Sequence, residues 1–79
     1  MKRSRSLEKL GTSIRRLRVA AGLSQEKLGF MTGLHRTYLG GVERGERNIG
    51  FLNLLRIARA LNVKVEDVVR GISVDSTSR

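Results

Sequence analysis

The chain concentrates its hydrogen-bonding side chains in one stretch, "HRTYLGGVERGERN", running from His35 to Asn48. Arg36, Arg44 and Arg47 supply guanidinium forks, Thr37 and Tyr38 hydroxyls, and Asn48 an amide. Groups of these types hold anions and polar edges through charge-assisted hydrogen bonds, so the chemistry they suit is recognition. Bond-making chemistry finds no support. There is no cysteine and a single histidine, which rules out a disulfide or thiolate metal site, and His35 has no second histidine or cysteine near it to share an ion. No paired carboxylates fall in a predicted cleft and no glycine loop is built to cradle phosphate. The expectation is a protein without catalytic activity, cofactor, metal or small-molecule ligand.

Charge says what such a surface would meet. Sixteen Lys and Arg against seven Asp and Glu leave a net charge of +9 on 79 residues, a strong attraction toward polyanions such as nucleic acid or acidic membrane. The excess is uneven: Lys2, Arg3, Arg5, Lys9, Arg15, Arg16 and Arg18 stand against Glu8 alone near the start. No apolar run approaches the length of a membrane span or a signal-peptide core, and the lack of cysteine fits a reducing cytosol, so a cytoplasmic protein is expected.

The elements that must position these residues read as helices. Proline is absent, apolar residues recur at three and four, and no alternating β-rich run is convincing, which predicts an all-α fold of five helices. Leu10, Ile14, Leu17 and Ala21 mark one face of a first helix over roughly 7 to 21, ended by Gly22. Ser24 is suited to cap a second helix over 25 to 31, and Gly33 to the turn after it. A third helix spans about 35 to 43, and "ERNIG" is a loop. A fourth helix over "FLNLLRIARALN" turns Phe51, Leu54, Ile57, Ala58 and Leu61 to the core and leaves Leu52 and Leu55 outside it. A short fifth helix runs from Val65 to Arg70. Residues 1–6 are expected to form a flexible basic arm, 7–71 a single domain and 72–79 a flexible polar tail. So small a core supplies limited stability, which directs attention to a partner subunit.

Counting from Gln25, Gly29 stands fifth, Gly33 ninth, Leu39 fifteenth and Val42 eighteenth. Gly29 would let two helices cross closely, Gly33 would make the turn between them, and Leu39, Val42 and Leu28 would bury the inner side of the pair. This spacing is that of a helix-turn-helix formed by the second and third helices. The residues "LSQEKLGFMTGLHRTYLGGVERGERN" resemble the phage-repressor and Cro type of helix-turn-helix family, with the likeness extending over about 14–69. Within that family the chain looks like the controller proteins of restriction-modification systems, which share the "RTY" opening, a glycine near the middle of the third helix and the later "ER" and "RN". Gly40 departs from the controller pattern, where a serine able to reach DNA is expected.

The resemblance implies a role for each position. Arg36 and Thr37, in the first turn of the recognition helix, would read base edges; Arg36 could fork onto guanine and Thr37 offer a methyl to thymine or a hydroxyl to phosphate. Gln25 would grip a phosphate at the second helix's positive end, or serve merely as a polar first-turn residue. His35 could cap the helix, lie in solvent or touch a phosphate. Tyr38 could pack its ring or turn its hydroxyl to DNA. Arg44, Arg47 and Asn48 would follow the backbone, unless they are plain surface charge. Gly41, one turn beyond Arg36 and Thr37, would let the helix backbone approach the groove, the bland alternative being a helix that frays at Gly40. Arg18 and Glu43 would form a structural ion pair, and Lys2, Arg3 and Arg5 would serve as an arm on DNA.

The resulting expectation is a sequence-specific transcriptional regulator that binds double-stranded DNA as a homodimer on a pseudo-palindrome, with Leu52, Leu55, Val65 and Val69 at the seam. RNA polymerase is a further candidate partner, for which Glu46 offers an acidic contact. An antitoxin that neutralises a toxin protein while repressing its own operon is the alternative. An architectural or membrane-surface binder using charge alone is a third.

Overall fold

A computed structural model describes residues 4–74 of the chain. Its five helices are α1 (Arg5–Ala20), α2 (Gln25–Thr32), α3 (Arg36–Glu43), α4 (Phe51–Ala60) and α5 (Val65–Val68), with no strand among the described residues. The first helix begins earlier than its apolar spacing predicts because Ser4 caps it, its Oγ accepting the Leu7 N–H at 3.2 Å. Arg5 and Ser6 are therefore helical rather than part of an arm; Lys2 and Arg3, and the tail beyond residue 74, lie outside the described residues. Ser24 does the same for α2, accepting from the Lys27 N–H at 2.9 Å. The α2–α3 turn needs Gly33, whose φ of 76° lies in the left-handed region.

The core draws on all five helices. Ile14, Leu28, Leu39, Val42, Ile57 and Val68 are fully buried, joined by Leu54, Ala58, Leu61 and the loop residue Ile49. Leu10 and Leu17 pack against this cluster as expected, whereas Ala21, at the end of α1, is exposed. Phe51 also differs from expectation. It shares the helical phase of the core residues but sits in the first turn of α4, beyond the reach of the core, and is 66% exposed. The fifth helix is shorter than predicted, ending at Val68.

Gly11 places α3. A Cβ added there would run into the carbonyl oxygens of Val42 and Glu43, so the backbones of α1 and α3 meet where the first helix has no side chain. Gly45, at φ 76° and packed against Glu8, then turns the chain out of α3.

Candidate nucleic-acid interface

The inner side of α3 is held by ionic as well as apolar contacts. Arg18 donates from Nε to Glu43 Oε2 at 2.6 Å and from Nη2 to Oε1 at 3.0 Å, and its Nη1 donates to the Leu23 carbonyl at 2.8 Å. The hydrogen-bonded Glu43 carboxylate holds the Arg18 guanidinium protonated even more firmly than usual, against the opposing effect of burial. Gln25 Nε2 donates to the same Glu43 Oε1 at 2.9 Å. One carboxylate at the end of α3 thus ties down α1 and α2 together. It also commits one of Gln25's two amide protons inward, which corrects the picture of that side chain as wholly available to a phosphate.

Opposite this anchored side lies the outer face. Arg36 and Thr37 are both exposed. His35 precedes them and caps the helix, Nδ1 accepting the Thr37 N–H at 3.1 Å. Four residues on from Arg36 and Thr37, and so on the same face, come Gly40 and Gly41. The helix does not fray there: α3 continues to Glu43. Tyr38 turns to the flank, half-buried against the core.

The glycines are not bare. A Cβ on Gly41 would lie 2.9 Å from Cγ of Arg47, and one on Gly40 would lie 3.1 Å from Nη1 of Arg44 and 3.4 Å from Oε1 of Gln25. Both glycines are buried beneath these side chains. The space left by Gly41 is therefore filled by the stem of Arg47, which lies across the second turn of α3, instead of standing open to an approaching groove. Arg44 in turn pairs with Glu46 at 3.1 Å, so the acidic residue expected to suit a polymerase contact already faces a guanidinium. Asn48 is exposed in the loop beyond. Arg36, Thr37, Arg44 and Arg47 consequently gather along one side of α3, with His35 at its start and Asn48 past its end.

A second surface is apolar. Leu52 and Leu55 on α4 are 67% and 37% exposed, and Phe51 extends the stripe. Val65 and Val69, expected beside them, are half-buried against the core, which withdraws much of their surface from any seam. Sequence reasoning passed over Gly11 and Ser4, and it turned Phe51 toward the core instead of onto this stripe. Gly11 could have been found by the same signal that drew attention to Gly40, a glycine inside a helix where it costs about 1 kcal/mol against alanine.

Residues 14–68 match the family model described as helix-turn-helix. Among curated relatives, the control protein C.SmaI of Serratia marcescens is 48% identical over 58 residues, 73% of this chain and 69% of that protein. The control protein C.BamHI of Bacillus amyloliquefaciens is 42% identical over 60 residues, covering 75% and 74%. The crystal structure of the restriction-modification controller protein C.AhdI from Aeromonas hydrophila superposes with a TM-score of 0.77 at 50% identity, covering 78% of this chain and 94% of that one. With the α2–α3 pair in place and the match spanning most of the five helices, the chain belongs to the helix-turn-helix family of DNA-binding transcriptional regulators.

Proposed function

We propose that the protein is a homodimeric, sequence-specific regulator of the restriction-modification controller type, reading a pseudo-palindromic operator through α3. One observation carries the reading. The outer face of α3 presents Arg36 and Thr37 to solvent, while its inner face is locked by Glu43 to two other helices. A rigid helix with polar side chains in its first turn is what the major groove admits, and a bidentate arginine on guanine contributes roughly 1–3 kcal/mol of discrimination.

The Phe51, Leu52 and Leu55 stripe supports two-fold pairing through α4, which would set two recognition helices about 34 Å apart on one side of the duplex. Arg44, Arg47 and Asn48 then take backbone phosphates. Repression follows from covering a promoter; a contact with RNA polymerase would allow activation. The antitoxin reading draws no support from C.SmaI and C.BamHI, which are named as control proteins.

The test is selection of bound sites from random duplex DNA at physiological salt, where a specific binder prefers its site by roughly 10³-fold or more over bulk DNA. Enrichment of an inverted repeat with half-sites about one helical turn apart is expected. Tight, salt-sensitive binding without enrichment would reduce the protein to a charge-driven DNA coat.

A further inference from the structure

The basic residues of α1 are not explained by the recognition helix. Arg5, Lys9, Thr12 and Arg16 recur at three- and four-residue steps, which places them on one stripe of α1. Gly11, which faces α3, lies on a different side of the same helix. The stripe forms one wall of an open groove of about 660 Å³, closed on the other side by Arg70, Gly71 and Ile72. Ser13 Oγ, donating to the Val68 carbonyl at 2.6 Å, fastens α1 to α5 beneath it. Glu8 is the one carboxylate in the lining among the described residues. Lys9 and Arg16 make no ion pair among the described residues, and Arg70 is paired with Asp67 at 2.6 Å.

We infer that this groove is a second nucleic-acid contact, one that takes the phosphate backbone of duplex DNA. Its form favours a backbone. From Arg5 to Arg16 the stripe runs about 16 Å at 1.5 Å per residue, long enough to follow a strand past more than one phosphate. No aromatic ring lines the groove to stack a base, and it is open along its length rather than enclosed, which suits a passing strand better than a nucleoside. Thr12 adds a hydroxyl of the kind that hydrogen-bonds phosphate oxygens. Because the groove responds to charge and not to bases, it stands or falls separately from operator recognition by α3.

The experiment measures affinity for a long, non-specific duplex of about 60 bp across a salt series. Each phosphate left without its cation should flatten the log–log salt slope by about 0.9 and weaken binding roughly 8-fold at 0.1 M salt, so Lys9→Gln with Arg16→Gln should weaken the long duplex about 60-fold. Thr12→Glu, which puts a carboxylate in the groove at an exposed position, should weaken the long duplex by roughly 8-fold, and Lys64→Gln, the same charge change off the groove, should change it less than about 2-fold. Circular dichroism confirms that each variant is folded. Wild-type affinity of the groove variants on the long duplex overturns the inference, as does a weakening matched by Lys64→Gln.

Discussion

Replacing Gly41 with alanine separates two physical roles that coincide at one atom. In the free protein the new methyl would sit 2.9 Å from Arg47 Cγ, too close for the stem to stay where it is. Arg47 is exposed and has several rotatable bonds, so it can swing away without disturbing the core. The helix meanwhile gains about 0.8–1 kcal/mol from alanine over glycine. Folding stability should therefore be unchanged or up to about 1 kcal/mol higher. DNA binding should move the other way, because the guanidinium loses the platform that lays it along α3. Release of that single phosphate corresponds to roughly 8-fold weaker binding at 0.1 M salt and a salt slope flatter by about 0.9. A double-mutant cycle with Arg47→Ala, read by thermal unfolding and by titration of a labelled duplex, isolates the coupling. If Gly41 acts through Arg47, the double variant binds no worse than Arg47→Ala alone. Additive effects would mean that the glycine meets DNA directly and that Arg47 is not the reason for it. Gly40→Ala should be milder, since it displaces only the far end of Arg44, 3.1 Å away.

Arg36→Ala should relax preference at one base position by roughly 1–3 kcal/mol while leaving non-specific affinity nearly intact, as read by binding to a panel of single-base operator variants. Glu43→Ala strands the buried Arg18 guanidinium and frees Gln25, so unfolding in denaturant should show a loss of about 3–5 kcal/mol; a loss below about 1 kcal/mol would show the network to be dispensable. Leu55→Glu should convert dimers to monomers in sedimentation, and an unchanged mass would move the seam off α4. Asp67 has its carboxyl held below the usual range by the hydrogen bond from the Lys64 N–H and then by Arg70. Its contribution to stability is therefore present above the ordinary aspartate value and lost as pH falls through the lower folded value. Asp67→Asn should flatten the acid limb of a stability-versus-pH curve, and an unaltered limb would show that the residue has no part in it.

Helical periodicity made most of the scaffold legible. Ile14, Leu28, Leu39, Val42 and Ile57 are core by spacing and core in the structure, and Ser24 and Gly33 mark the ends of α2 as their chemistry predicts. Phe51 shows where that logic stops. Periodicity gives the direction a side chain points but not how far along a helix the core extends, and it was Ile49, in a loop with no period at all, that proved to be buried. The glycines teach a related lesson. Their presence in α3 signals that something comes close, yet only the fold reveals that Gly41 meets Arg47, brought back from the loop six residues later, and that Gly40 meets Arg44 and Gln25. The Arg18 and Glu43 pairing was legible through resemblance alone, since 25 residues separate the two and neither pattern nor charge links them.

The two-sided construction of α3 also bears on how such a protein can change its target over evolutionary time. Substitutions at Arg36 or Thr37 alter exposed side chains and leave Leu39, Val42 and Glu43 undisturbed, so operator preference can drift one residue at a time through sequences that all still fold. The anchor is a different matter. Glu43 accepts hydrogen bonds from Arg18 and Gln25 together, and Gly11 leaves no room for α3 to shift in compensation. Leaving that arrangement would require coordinated replacement of residues on three helices, because loss of Arg18 or Glu43 alone strands a charge and a side chain at Gly11 alone makes a clash. Lineages descended from this chain should therefore diversify on the outward positions of the helix while its inward ones stay frozen.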